Sequence, residues 1–367
     1  MTAGHNIVNK ALSSVKKIEA SFPRGEKMTA LGNQCFVSKI YKNNPDEVND
    51  KDDYALIAIA VPPGEKKLGG GGFGFSAVIP ENHLIQGSVF IYGYAAGGGL
   101  QGFESRLVKG KLKEKPRQLF HSVQTLPGVS GGPVWTKHQD GYYTAIGIHN
   151  YGGSKGNKDP NKRATRLTVD VLKDMISWAG NCKLNQSIEG SKKGGTYLKA
   201  SPGKTTTALS RRGRDAYTGF DFILIEAPPY KANESKAREQ KYRYLISPTA
   251  TKSTVYLKLV TNSSSTNKAA FGKPSDARNP SSNANTTFHF SLSRKADKLI
   301  TVEDDNKKVS IGPYEISPMG KSLLLRIRYT KIACPCDCGE ESIEVDFISS
   351  AALSDVKTGS ALYLSSK

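Results

Sequence analysis

The stretch Leu126–Trp135 (LPGVSGGPVW) carries the strongest structural signal in this chain of 367 residues. Ser130 lies between Gly128 and the pair Gly131-Gly132, and a short apolar run follows. Glycine adopts backbone torsions that other residues resist, so the stretch predicts a tight turn that exposes the serine hydroxyl ahead of a strand. The glycines also allow a bound carbonyl group to approach the N–H groups of Gly128 and Ser130.

Two such amide donors would stabilise an oxyanion by ~3 kcal/mol each. A serine hydroxyl becomes a nucleophile only beside a base, and the base needs an orienting carboxylate. His5 stands just before the apolar stretch Ile7–Leu12, and Asp53 stands at the mouth of a predicted strand. Asp52 is the competing carboxylate. The sequence therefore offers the parts of a catalytic triad: Ser130 as the nucleophile, His5 as the base that transfers the proton, and Asp52 or Asp53 as the carboxylate that orients His5.

The order His, Asp, Ser, with these local contexts, resembles the chymotrypsin-like (trypsin-like) serine peptidases, and most closely the glutamyl endopeptidases. The motifs that carry the resemblance are Thr2–His5, Asp53–Ile57, Gly128–Val134, Ala145–Gly153 and Thr165–Thr168. The resemblance covers residues 2–180, and it implies that Asp53, which directly precedes the Tyr-Ala-Leu strand, is the aspartate of the triad. It implies an all-β, chymotrypsin-like double β-barrel with a terminal helix, and a serine endopeptidase that works through an acyl-enzyme and needs no cofactor or metal.

One departure from the family concerns the N-terminal strands. In the family, strands precede the histidine motif, whereas here the motif stands at the start of the sequence. The resemblance therefore implies either that the sequence is a fragment or that the first barrel is N-terminally incomplete. The alternative function is a catalytically impaired peptidase-fold binding module.

The resemblance also implies a substrate-binding pocket formed by Thr125, His149 and Gly152. In glutamyl endopeptidases, a histidine at the place of His149 and a Ser or Thr at the place of Thr125 bind a substrate carboxylate. The resemblance therefore implies a preference for Glu or Asp before the cut. The pKa of an imidazole, ~6.5, would rise beside a bound carboxylate. Position 124 is Gln, whereas a trypsin-like pocket would have Asp there. A histidine hydrogen-bonded within the barrel is the alternative role for His149.

Elsewhere the first half shows short strand-like runs between Gly, Pro and Asn residues. We expect strands at Tyr54–Val61, Ser88–Tyr94, Gly132–Thr136 and Tyr142–His149. A single apolar stripe predicts a helix over Val169–Ala179. The polar stretch that follows predicts a linker at 183–196, between a peptidase domain at 1–182 and a β-rich accessory domain at 197–367.

Two short patterns recur in the second half of the chain. Tyr197-Leu198-Lys199 returns as Tyr256-Leu257-Lys258, and the pair Phe220/Phe222 returns as Phe288/Phe290, with a weaker copy at Val345–Ile348. Units of roughly 60 residues predict a three-fold, β-trefoil-like domain that binds a glycan or protein ligand. A two-sheet β-sandwich is the alternative fold.

Composition excludes several classes of protein. Hydrophobic residues make up 37% and charged residues 23%, as in globular proteins, and no apolar run is long enough to span a membrane. The net charge of +19 raises the prospect of acidic partners. Its spread along the chain and the lack of aromatics among the densest basic stretches argue against nucleic acid. The partners expected are a protein or peptide substrate, and a ligand of the second domain.

The cysteines indicate neither a disulfide framework nor a closed metal site. There are five, and Cys334, Cys336 and Cys338 form a tight cluster without a nearby histidine. A closed zinc site needs about four ligands, so we expect a local redox or structural role. The sequence as given shows no signal peptide and leaves the compartment open.

Overall fold

A computed structural model gives the fold. It describes residues 1–9, 14–21, 27–59, 74–77, 79, 84, 86–96, 98–108, 111–123, 125–137, 143–152, 162–179, 183–190, 197–200, 207–210, 217–227, 242–249, 255–261, 267–272, 286–292, 300–303, 309–319, 321–331, 341–349 and 362–366. The chain divides into two compact units, Met1–Asn181 with Glu226–Lys236, and Cys182–Ile225 with Ala237–Lys367. Strands dominate both units, so the expectation of an all-β protein is confirmed.

The first unit consists of short strands and three α-helices within its described part. The strands are β1 (Lys17–Ser21), β2 (Lys27–Leu31), β3 (Cys35–Val37), β4 (Ala55–Ile57), β5 (Gly74–Ser76), β6 (Ser88–Tyr94), β7 (Leu100–Arg106), β8 (Gln118–His121), β9 (Pro133–Lys137), β10 (Tyr143–Tyr151) and β11 (Lys162–Arg166). The helices are α1 (Lys39–Asn43), α2 (Lys111–Glu114) and α3 (Val169–Ala179), and short 3-10 helices lie at Gly4–Asn6, Gly32–Gln34 and Glu47–Asp52.

Six strands of the first unit close into a ring in the order β6, β7, β8, β11, β10, β9. A single bridge between Leu107 and His121 joins β7 to β8, and β9 pairs with β6 to complete the ring. Apolar side chains that alternate along the strands fill the interior: Val89, Ile91, Leu119, Val134, Ile146 and Ala164. The turn that carries Ser130, called the serine turn below, leads directly into β9, and the ring pairs β9 with β10.

The elements before the ring hold the N-terminal segment. β1 pairs with β2 and β3 pairs with β4, each as a separate two-stranded sheet. The buried side chains of Ile7, Val8 and Ala55 pack against a set of partly buried residues: Val15, Ile18, Cys35, Val37 and Ile57. Thr2 forms a bridge with Ala55, which fixes the N-terminal segment beside β4.

Several sequence predictions of elements are confirmed in this unit. Helix α3 spans the predicted residues and buries Val171, Leu172 and Met175, which form the predicted apolar stripe. Strand β6 has the predicted bounds, and β9 and β10 differ from prediction by one or two residues at each end. The strand expected at Tyr54–Val61 is shorter, because β4 pairs with β3 only over Ala55–Ile57.

The second unit also contains a closed ring. Its strands are β12 (Lys183–Glu189), β13 (Tyr197–Ala200), β14 (Thr207–Ser210), β15 (Gly219–Ala227), β16 (Arg243–Pro248), β17 (Tyr256–Thr261), β18 (Asn267–Gly272), β19 (Phe288–Leu292), β20 (Ile300–Glu303), β21 (Val309–Pro318), β22 (Leu323–Lys331), β23 (Glu341–Ser349) and β24 (Leu362–Ser366). The ring order is β12, β15, β16, β19, β21, β24, and β24 pairs back to β12. Three hairpins, β13–β14, β17–β18 and β22–β23, alternate with pairs of ring strands along the chain.

A single hydrophobic core serves both the ring and the hairpins. Phe220, Phe288 and Leu362 come from ring strands, whereas Leu257 and Phe347 come from hairpins. Phe220 stacks on Phe271 with ring centroids 5.6 Å apart, and Phe288 stacks on Phe347 at 5.8 Å. These contacts bind the hairpins β17–β18 and β22–β23 to the ring.

Two details of the sequence prediction for this unit need correction. The predicted linker at 183–196 contains strand β12, whose polar composition hides a ring strand with Ile188 buried in the core. The remainder of that stretch, 191–196, lies outside the described residues. Phe347 lies on a hairpin strand, so it is not equivalent to Phe220 and Phe288; the corresponding ring strand is β24.

Candidate functional site

The segment that carries His5 is fixed by backbone hydrogen bonds. The N–H of Thr2 donates to the Ala55 carbonyl at 2.9 Å, and the N–H of Ala55 donates back at 2.8 Å. A 3-10 turn over Gly4–Asn6 then directs His5 toward Asp53. Gly4 has no room for a side chain, since an added Cβ would lie 2.9 Å from Asp53 Oδ1.

Asp53 binds His5 at two points. Its Oδ2 lies 2.7 Å from His5 Nδ1, and its Oδ1 accepts the backbone N–H of His5 at 2.8 Å. The Asp53 side chain is fully buried, whereas the His5 side chain is 26% exposed. The competing carboxylate, Asp52, instead pairs with Arg117 at 2.5 Å. Asp53 is therefore the carboxylate that can orient His5.

Asn150 holds the backbone beneath this pair. Its Nδ2 donates to the Asp53 carbonyl at 2.7 Å and lies 2.9 Å from Thr165 Oγ1, and its Oδ1 accepts the N–H of Thr165 at 3.1 Å. Asn150 is 1% exposed, so loss of its amide would remove several buried hydrogen bonds, among them the one that satisfies the N–H of Thr165. The 3-10 helix Glu47–Asp52 is anchored from the same point, because Thr165 Oγ1 donates to the Asp50 carbonyl at 3.0 Å.

The serine turn has the predicted glycine torsions. Gly128 and Gly131 have φ values of 94° and 89°, which L side chains rarely adopt. The N–H of Gly131 donates to the His149 carbonyl at 2.7 Å, and the N–H of His149 donates to the Gly132 carbonyl at 2.9 Å. These bonds fasten the turn to β10 and bring Ser130 beside Asn150.

The Ser130 hydroxyl is engaged by the backbone. Its Oγ donates to the Asn150 carbonyl at 2.9 Å. In the part of the chain that the structure describes, no hydrogen bond joins Ser130 Oγ to His5. Asn6 connects the two segments instead, since its Nδ2 donates to the Ser130 carbonyl at 3.0 Å.

The backbone N–H groups of Gly128 and Ser130 have no hydrogen-bond acceptor among the described residues. The neighbouring Pro127 carbonyl accepts the N–H of Ala96 at 2.7 Å, which holds the loop in place. Gly128 is exposed and Ser130 is half-buried, so both donors can meet a ligand from solvent. Two adjacent free donors are suited to a carbonyl oxygen or an anion.

Thr125, His149 and Gly152 lie together, as predicted. Thr125 Oγ1 is 3.1 Å from His149 Nε2, and a Cβ added at Gly152 would lie 3.2 Å from the same hydroxyl oxygen. On its other side, His149 Nδ1 lies 3.3 Å from His121 Nε2. The three predicted binding residues and one further histidine therefore form a single polar row. Gln124 lies outside the described residues.

The charge state of His149 differs from the sequence expectation. Burial, followed by the nearby His5 and Lys162, lowers the pKa of His149 to about 4. Burial and His149 lower the pKa of His121 to about 3. Both imidazoles are therefore neutral at pH 7, and His149 offers a neutral hydrogen-bonding group instead of a cation.

Sequence reasoning missed two residues that complete the site. Asn150 follows the apolar residues of a predicted strand, and a polar residue at that position is the signal by which the sequence could have identified it. The Tyr151 ring lies 5.4 Å from the His5 ring, and its hydroxyl lies 3.2 Å from that of Tyr41. Burial and Asp53 raise the pKa of Tyr151, so its hydroxyl stays protonated.

The described ranges contain no candidate for two other kinds of site. Across those ranges, no group of three or more His, Cys, Asp or Glu side chains is arranged to hold a metal ion. No helix among them is both long and apolar enough to cross a membrane. The cysteine cluster at 334–338 lies outside the described residues.

Comparisons with known proteins find similar solved structures but no matching family. No family model matches the chain, and no curated protein matches it. One matching structure, a mutant of HCR/D, is 9% identical, covers 86% of this chain and 87% of its own, and has a TM-score of 0.31. Another, the binding domain of botulinum neurotoxin serotype G, is 9% identical, covers 81% and 82%, and has a TM-score of 0.26.

The geometry at Ser130 argues against the predicted serine endopeptidase. The prediction of an enzyme, of a protease and of cleavage after Glu or Asp is corrected accordingly. At the site itself, the Ser130 hydroxyl donates to a backbone carbonyl and not to His5.

Proposed function

We propose that this chain is a binding protein that does not cut its ligand, and that a polypeptide segment occupies the cleft around Ser130. The observation that carries the proposal is the combination of two unused amide donors, at Gly128 and Ser130, with a serine hydroxyl that is already engaged by the Asn150 carbonyl. The donors can hold a ligand carbonyl without any chemical step.

The row of polar side chains next to the donors would select the ligand. A main-chain carbonyl on the two amides places the adjoining ligand side chain toward Thr125 and His149. Each neutral hydrogen bond contributes about 1 kcal/mol net. His149 is neutral and buried, so it favours an uncharged or hydrogen-bonding ligand group at pH 7.

For the fold of the first unit, we propose the chymotrypsin-like arrangement. Support comes from the ring β6, β7, β8, β11, β10, β9, from the serine turn before β9 and from the terminal helix α3. The two short sheets β1–β2 and β3–β4 would then represent the incomplete first barrel.

For the second unit, we propose a β-trefoil and not a sandwich. A six-stranded ring with three hairpins between successive strand pairs supports this fold. Equivalent backbone bonds support it too: the N–H of Thr249 donates to the Gly219 carbonyl and that of Met319 to the Thr287 carbonyl, each at 2.9 Å. A glycan or protein ligand is the proposed partner of this unit.

The test measures binding and covalent reaction on one sample. A panel of fluorescent peptides that vary at a single position is titrated into the full chain and into His149→Ala and Ser130→Ala. We expect Ser130→Ala to bind as the wild type does, because the hydroxyl faces the protein, and His149→Ala to lose affinity for the preferred peptide.

A fluorophosphonate probe supplies the decisive second measurement. The proposal predicts no adduct on Ser130 and no cleaved peptide in the mass spectrum after prolonged incubation. An adduct on Ser130, or any product that Ser130→Ala does not form, would overturn the proposal and restore the peptidase. Absence of peptide binding would refute it equally.

A further inference from the structure

The three hairpins of the second unit carry a basic residue at one equivalent position. The residues are Lys199 on β13, Lys258 on β17 and Arg326 on β22. Each follows a buried leucine and precedes a buried apolar residue, with the leucines at 198, 257 and 325 and the apolar residues Ala200, Leu259 and Ile327. Because side chains alternate along a strand, each cation lies on the face opposite the core.

In the third hairpin, this cation has its own carboxylate. Asp346 stands directly across the hairpin from Arg326. Arg326 Nε donates to Asp346 Oδ1 at 2.8 Å, and Arg326 Nη2 contacts Oδ2. Such a two-point pair of guanidinium and carboxylate is strong and directional.

In the other two hairpins, the position across from the cation is alanine. Ala208 stands across from Lys199, and Ala270 stands across from Lys258. Lys258 is half-buried, and the described residues supply it with no ion-pair partner. Its stem runs beside Gly272, where an added Cβ would lie 3.5 Å from Lys258 Cδ. The second hairpin therefore holds the cation of the third hairpin without its anion.

We propose that the outer face of hairpin β17–β18 binds a carboxylate side chain of an acidic polypeptide segment, placed over Ala270 and paired with Lys258. The inference rests on the three-fold equivalence proposed above for this unit. The third hairpin supplies the chemistry, since its occupant is an aspartate on an extended strand. Charge agrees, because β17 and β18 contain Lys258 and Lys268 and no acidic residue, and Asp346 of the paired strand β23 stands opposite Lys268 and not opposite Lys258.

The test uses the full chain and a fluorescein-labelled peptide of six glutamates, followed by fluorescence anisotropy at low and at physiological salt. Lys258→Gln should weaken binding about fivefold, the upper range for a partly exposed ion pair. Lys268→Gln is the matched control: it removes an exposed lysine of the same hairpin and should change the affinity much less.

Two further variants exploit the repeat. Ala270→Asp supplies the anion internally, as Asp346 does, and should remove the Lys258-dependent binding while the hairpin remains folded. Asp346→Asn removes the carboxylate that stands across from both Arg326 and Lys268, and should raise the number of peptides bound per chain. Thermal melting confirms that each variant is folded.

Distinct results would overturn the inference. Equal weakening by Lys258→Gln and Lys268→Gln would mean only general attraction to a basic chain. Binding of a carboxylate-bearing oligosaccharide at Lys258, with none of the peptide, would assign the face to a glycan instead. The cleft variant His149→Ala separates this proposal from the proposed function, because it should leave Lys258-dependent binding unchanged.

Discussion

The two buried imidazoles of His121 and His149 should make the stability of the first unit depend on pH. Burial lowers their pKa values to about 3 and about 4, against 6.5 for an exposed histidine. Below pH 6.5, the unfolded chain takes up protons that the folded chain does not, so the free energy of unfolding decreases as the pH is lowered. Between pH 6.5 and pH 5, each histidine lowers the free energy of unfolding by about 2 kcal/mol, at 1.36 kcal/mol per pH unit.

His121→Gln tests this reasoning, because glutamine keeps a donor beside His149 and removes one titrating group. Urea unfolding is followed by tryptophan fluorescence, which reports on the first unit since the only tryptophans are Trp135 and Trp178. Between pH 7 and pH 5, the two histidines should contribute a loss of about 4 kcal/mol in the wild type, and the variant should lose about 2 kcal/mol less than the wild type does. His289→Gln, in the second unit, should behave as the wild type does. An equal loss in His121→Gln and wild type would refute the assigned pKa shifts.

Two further predictions concern the serine turn and its support. Asn150→Ala should lower the free energy of unfolding by about 3 kcal/mol, because the Asp53 carbonyl and the N–H of Thr165 lose a buried partner; a smaller effect than about 1 kcal/mol in urea unfolding would contradict this. Gly131→Ala should lower the melting temperature more than Gly98→Ala, although both glycines have positive φ. A Cβ at Gly131 would lie 2.3 Å from Thr2 Oγ1, whereas a Cβ at Gly98 meets nothing within 4 Å, so equal shifts in scanning fluorimetry would count against the contact.

Much of the candidate site could be predicted from the sequence, because local backbone requirements mark it. Gly128 and Gly131 signalled the turn, and the structure gives both a positive φ. The position of Asp53 directly before a strand favours it over Asp52 already in the sequence. The structure adds a reason that spacing could not supply, because Arg117, which is distant in the sequence, pairs with Asp52. The direction of the Ser130 hydroxyl likewise depends on the Asn150 carbonyl, which only the folded chain brings near.

The second unit was predictable where apolar residues recur and obscure where they do not. The recurrences of Tyr-Leu-Lys and Phe-x-Phe fall on equivalent strands, β13 with β17 and β15 with β19. A longer repeat than these two is the pattern Tyr-x-Ile-Ser-Pro. It is shared by Tyr244–Pro248 and Tyr314–Pro318, which end the equivalent strands β16 and β21. Strand β12 could not be predicted because its composition is largely polar. Among its described side chains, Ile188 and Ser187 are the buried ones.

The ring of the second unit has a consequence for the order of folding. Its first strand, β12, pairs with its last, β24, so that Gln186 lies opposite Ser366. Contacts between residues so far apart in sequence form slowly, since the intervening chain must first be ordered. On the ribosome, β12 must therefore wait for nearly the whole unit to be synthesised, and until then its edge is open to wrong partners. Chaperone dependence during synthesis would be the cellular sign of this closure.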